Sequence, residues 1–109
     1  MIQFTVWKSQ DQYRGFESTG HAGYASEDED DIICAAVSAL TINAVNSISC
    51  FTEDAYELEQ AEDGGFLRIH FPEELSSEAI LLMDSLVLGI RNIEADYGNE
   101  YITLRVEEV

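Results

Sequence analysis

The sequence predicts an α+β fold, a β-β-α-β-β-α-β layered sandwich with a mostly antiparallel sheet and two long helices. Three observations predict it. Strand-like segments come in pairs joined by short polar or glycine-bearing turns, two long segments repeat their apolar residues at helical spacing, and the two kinds of segment alternate along the chain. At 109 residues, nearly half of them apolar, the chain suits a single domain over residues 1–109 with one core.

Each element has its own signal. Ile2, Phe4 and Val6 alternate over residues 1–8 and read as a strand. Lys8 to Gln12 is a polar turn, and Tyr13 to Gly20 is the second strand of a hairpin, interrupted by Gly15 and Gly20. Gly23 to Asp30 is an acidic run expected to be a mobile loop. Asp31 then reads as the N-cap of a helix from Ile32 to about Ser49, because its carboxylate can accept from the exposed backbone N–H groups of the first turn. Ile33, Val37, Leu40, Ala44 and Ile48 form its expected buried face, with Cys34, Ser38, Thr41 and Val45 as a neighbouring stripe of small side chains.

Tyr56 to Ala61 and Phe66 to Phe71 flank Glu62-Asp63-Gly64-Gly65, a hairpin signal, and Pro72 ends the second strand. Ser76 or Ser77 caps a second helix reaching about Tyr97. Its apolar side is Ile80, Met83, Leu86, Val87, Ile90, Ile93 and Tyr97; Asp84, Arg91 and Glu94 belong to the other side. Gly98 and Asn99 stop it, and Tyr101 to Val106 is the last strand. Five short strands do not easily cover two apolar helices, so a homodimer is expected.

Composition narrows the function. Twenty-two acidic and five basic residues give a net charge of −17, which repels nucleic-acid phosphates and steers a basic partner toward the surface. There is no run of eighteen apolar residues, so no membrane span is expected. The chain opens on Ile2-Gln3-Phe4-Thr5-Val6 without a basic stretch followed by an apolar one, so no signal peptide is expected and the cytoplasm is the expected location. Cys34 and Cys50 would lie about 24 Å apart on one continuous helix, too far for a disulfide.

The chemistry concentrates in Gly20-His21-Ala22-Gly23-Tyr24-Ala25 and Asp31-Ile32-Ile33-Cys34-Ala35-Ala36-Val37-Ser38. Cys34 stands in the first turn of the helix, where N–H groups and the macrodipole favour a thiolate; His21, at a strand end, can take its proton. Asp31 either orients that imidazole as a third catalytic group or only caps the helix, with Asp28 and Asp30 as weaker acids. Ser38 lies one turn beyond Cys34 on the same face and reads either as touching substrate, as steadying the thiol or as a packed serine; Gly20 and Ala22 are expected beside the substrate. N–H groups at the helix start are expected to hold an oxyanion. His70, between Ile69 and Phe71, reads as a solvent-facing strand residue. His21, Cys34 and loop carboxylates are too sparse a set for structural zinc, so no metal and no cofactor are expected.

Those two motifs, the gap between them and the Asp-Gly-Gly hairpin resemble the ribosomal-processing cysteine protease family, Prp, over essentially the whole chain. The resemblance implies a bacterial cytoplasmic homodimer. It implies removal of a short N-terminal extension from a ribosomal protein of the large subunit, with cleavage after an aromatic residue in a hydrophobic stretch. It matches the family's nucleophile to Cys34, its base to His21, its acid to Asp31 and its following serine to Ser38; the family's mobile loop falls on about Ala22 to Asp30. Many relatives carry glycine where this chain has Glu29, and have fewer acids in the loop. The competing reading is a non-catalytic acidic binding module or chaperone for a basic ribosomal protein, which rests on charge alone.

Overall fold

The strands and helices fall in the expected order. The computed structural model describes residues 1–23, 31–62 and 64–109. Strands β1 (Ile2–Ser9) and β2 (Gln12–Thr19) precede helix α1 (Ile32–Phe51). Strands β3 (Glu57–Gln60) and β4 (Phe66–His70) then precede helix α2 (Ser77–Tyr97) and strand β5 (Ile102–Glu108). The expected acidic loop over Gly23 to Asp30 lies, from Tyr24 onward, outside the described residues.

One five-stranded sheet runs in the order β3-β4-β2-β1-β5. The β1–β2, β2–β4 and β3–β4 pairs are antiparallel, and β1–β5 is parallel. The sheet is therefore mixed with an antiparallel majority. The parallel pair requires a crossover, which α2 supplies. The β1–β2 turn places Gln10 and Asp11 at φ 51° and 67°, the left-handed pair that a tight two-residue hairpin requires.

Alternation dictates which face is covered. Ile2, Phe4 and Val6 of β1, Phe16 of β2, and Leu67 and Ile69 of β4 are buried, while Gln3, Thr5 and Trp7 point to the other face. Phe4 and Phe16 stack with ring centroids 5.3 Å apart. Both rings are fully buried, each worth about 1.5–3 kcal/mol of apolar transfer. Among the described residues, helices lie on one side of the sheet only, and the opposite face is open.

Helix α1 buries Ile33, Val37, Ala44 and Ile48 as expected, together with Thr41 and Val45 from the small-residue stripe; Leu40 is only half-buried. The helix faces both the sheet and α2, so its covered arc is wider than one stripe and is centred toward the smaller side chains. By length and mean hydropathy of 1.7 it would pass as a membrane span, but its apolar arc packs into the core.

Helix α2 buries Ala79, Met83, Leu86 and Ile90. Two of its expected outward residues reach back to the sheet: Asp84 accepts from the Tyr13 hydroxyl, and Glu94 accepts the Leu104 N–H at 2.7 Å. Tyr97, expected on the apolar side, is exposed. Ser76 caps α2 by accepting the Ala79 N–H, and Asp54 holds Ser76 by accepting from its N–H at 2.7 Å and its hydroxyl at 2.6 Å.

Candidate active site

The start of α1 is built as the sequence implies. Asp31 has extended backbone dihedrals, and its Oδ1 accepts the N–H groups of Ile33 and Cys34, each at 3.0 Å. The Ala35 N–H closes the first helical turn on the Asp31 carbonyl at 3.0 Å. One consequence departs from expectation. The N–H groups of residues 33 to 35 are all engaged by Asp31, so they are not free to hold an oxyanion. An N-cap carboxylate satisfies the very donors that such a hole would use.

The end of β2 brings the other half of the site. Gly20 has φ 89°, and a Cβ there would lie 2.4 Å from the Met1 carbonyl oxygen, so only glycine turns the chain past the start of β1. Its N–H donates to the Gly65 carbonyl at 2.9 Å, so Gly20 serves the turn rather than offering a free donor. The turn carries His21 and Ala22 over the start of α1. Ala22 is buried, and its N–H donates to Cys34 Sγ at 3.2 Å. The residue next to His21 therefore touches the sulfur. The imidazole itself is exposed and makes no hydrogen bond to Cys34 among the described residues.

The electrostatics of the thiol also depart from the expected thiolate. Burial pushes the Cys34 thiol up, and hydrogen bonding to Asp31 and the charge of Asp31 push it further; the Ala22 N–H opposes them by favouring the anion. Helix position alone would lower it, but the carboxylate that caps the helix cancels that advantage. Cys34 is half-buried and Cys50 is exposed; both are free thiols.

One turn beyond Cys34, a cleft of about 200 Å³ opens between α1 and the β3–β4 hairpin. Val37, Ser38 and Ile42 form its helical wall, and Glu62, Gly64 and Phe66 face them. Ser38 lies on this cleft. The opposing wall was not expected, since it comes from a hairpin distant in sequence; the only sequence signal was the acid-and-glycine turn itself. Cys34 does not line this cleft. Asp28 and Asp30 lie outside the described residues.

A half-buried thiol beneath a backbone N–H, a histidine one residue away and an open cleft one helical turn beyond are the parts of a cysteine-dependent hydrolase. The comparisons narrow the class. The family model for cysteine protease Prp matches residues 1–103. The ribosomal processing cysteine protease Prp of Bacillus subtilis (strain 168) is 38% identical over 102 residues, covering 89% of this chain and 90% of the relative. The protein of that name from Staphylococcus aureus (strain Mu50 / ATCC 700699) is 32% identical over 85 residues, 78% of each chain. The crystal structure of S. aureus Prp with a covalently linked product peptide superposes with a TM-score of 0.89 at 25% identity, covering 98% of this chain and 100% of that one. SMU.848 from Streptococcus mutans gives 0.85 at 32% identity, covering 100% and 96%.

This chain belongs to the cysteine protease Prp family. It is a cysteine protease with an α+β fold, and the reading as a non-catalytic binding module gives way to that of an enzyme.

Proposed function

We propose that this chain is a processing endopeptidase that removes the N-terminal extension of a bacterial large-subunit ribosomal protein, with Cys34 as nucleophile and His21 as its base. The contact of the Ala22 N–H with Cys34 Sγ carries the reading, because it joins the two motifs at one point. His21 takes the Cys34 proton as the sulfur attacks the scissile carbonyl carbon. The N–H groups of Ile33, Cys34 and Ala35 are engaged by Asp31, whereas that of Ala22 rests on Cys34 Sγ and is released to the developing oxyanion as the sulfur bonds to the carbonyl carbon. The tetrahedral adduct collapses as the His21 imidazolium protonates the departing amine, leaving a thioester. Water, deprotonated by His21, attacks the thioester carbonyl and releases the acid and the Cys34 thiol.

A thiol whose anion is disfavoured by burial and by Asp31 makes the base His21 necessary to generate the nucleophile. The names of the curated relatives support the ribosomal substrate. The net charge of −17 suits a basic partner. We further read the protein as cytoplasmic and homodimeric. Ile42, Phe51, Leu81 and Leu88 are large apolar side chains left exposed on the two helices, at 49%, 77%, 69% and 61%, and a second copy would cover them.

The test uses a peptide copied from an extended ribosomal N-terminus. The wild type and Cys50→Ala cleave it, and Cys34→Ala does not. Cleavage by Cys34→Ala at the wild-type rate excludes the mechanism. Gel filtration with light scattering tests the dimer.

A further inference from the structure

The open face of the sheet carries a second site, remote from Cys34. A hollow of about 370 Å³ lies there, lined by Trp7, Ser9, Arg14, His70 and Val109. That volume falls within the range of small-molecule pockets, about 300–1,000 Å³. The hollow sits at the other end of β2 from His21. Arg14 and Gly20 are six residues apart, about 20 Å along a strand. It is also on the opposite side of the sheet from α1.

Register explains its shape. Gly15 pairs with Trp7 on one side and with His70 on the other. A Cβ at Gly15 would fall 2.2 Å from the Ile69 carbonyl oxygen, so no side chain can occupy the middle strand at this point. An indole and an imidazole therefore stand on strands about 10 Å apart, two inter-strand spacings, with no side chain at the Gly15 position between them. A flat ring gripped between two others needs about 7 Å, twice the carbon–carbon contact distance.

Charge completes the site. The register shift between Trp7 and Lys8 leaves Arg14 as the extra residue of β2, lining the hollow. Arg68 is paired with Glu17 and Glu59, Arg105 with Glu107, and Lys8 with Asp11. The Arg14 guanidinium makes no ion pair among the described residues, in a chain with 22 acids. Two acids end that row: Glu57 pairs with His70 in the ladder, and Glu107, which is paired with Arg105, lies beside Trp7. An unneutralised guanidinium fork beside two aromatic faces suits one compact anionic group attached to a flat ring.

We infer that this hollow binds a small organic anion with an aromatic ring, the ring between Trp7 and His70 and the anionic group on Arg14. The reading is independent of Cys34 chemistry. A nucleoside monophosphate and a free carboxylate on an aromatic amino acid share that chemistry.

Trp7 is the only tryptophan, so its emission reports on this site alone. Wild-type protein is titrated with AMP and with N-acetylphenylalanine to about 10 mM, the weak end of specific binding. Adenosine and inorganic phosphate serve as controls that keep only the ring or only the anion. The expected result is a saturable change with AMP or N-acetylphenylalanine, the one that saturates identifying the source, and a Kd at least about tenfold weaker for each control. Arg14→Gln is expected to weaken binding about tenfold with an unchanged melting temperature. If that variant melts early, Arg14→Lys, which keeps the charge without the fork, is expected to fall between it and the wild type. No saturable change with either ligand, equal binding of adenosine, or affinity unaltered by loss of the Arg14 fork overturns the inference.

Discussion

Asp31 does two things that pull in opposite directions, and substitution separates them. Its Oδ1 accepts two helix-start N–H groups at 3.0 Å, and its charge and hydrogen bonding raise the Cys34 thiol. Asp31→Ala removes the cap, at a cost of about 1 kcal/mol with a range of about 0.5–2. For a domain of this size that lowers Tm by about 4 °C. Asp31→Asn keeps an accepting oxygen and loses the charge, so only the dipole contribution of about 0.3–1 kcal/mol goes. The sign reverses for the thiol. With the charge gone, its influence against the thiolate vanishes, and the pH profile of alkylation moves to lower pH. In a Cys50→Ala background, iodoacetamide modifies only Cys34. At neutral pH it is expected to react faster in Asp31→Asn than in the parent. Peptide cleavage is the third readout. An Asp31 that orients His21 loses cleavage on becoming Asn despite the more reactive thiol, whereas an Asp31 that only caps keeps it. An Asp31→Ala protein as stable as its parent, or slower alkylation in Asp31→Asn, refutes the reasoning.

Two other outcomes follow from the packing. Phe16→Ala empties a fully buried, stacked position and is expected to cost about 3–5 kcal/mol, read from the urea midpoint. At Asp54, burial pushes the carboxyl up, but hydrogen bonds from the Ser76 hydroxyl and N–H and from Thr52 outweigh it and hold the group below its ordinary range. A folded value below the unfolded one means stability that is present above the unfolded value, about 3.9, and is lost as pH falls through the folded value. Wild-type protein should therefore lose more stability than Asp54→Asn on acidification from about pH 5 to 3, measured by thermal melts.

Much of the fold was legible because its signals are local. Asp31 and Ser76 cap the helices they precede, Gly98 ends α2 with its N–H on the Glu94 carbonyl at 2.9 Å, and strand alternation in β1 sorts buried from exposed residues. His70 faces solvent as its neighbours required. Legibility failed where an element meets two partners at once. Thr41 and Val45 are covered because α1 touches both the sheet and α2, and Asp84 and Glu94 bond back to strands that helical periodicity does not describe. The facing wall of the cleft, with Glu62, Gly64 and Phe66, was equally hidden, since nothing near Ser38 in the chain announces a hairpin.

The amino-acid order alone determined the element sequence, the helix caps, the acidic surface and the two motifs that carry Cys34 and His21. These follow from periodicity, capping and composition, which act over a few residues. Tertiary structure decided which strands are neighbours, that the Ala22 N–H rather than the helix start meets the sulfur, and that burial pushes the Cys34 thiol up. It also decided that Gly15 leaves a gap between Trp7 and His70. The reason is that desolvation and donor occupancy depend on which distant segment arrives above a residue, and only the assembled chain specifies that.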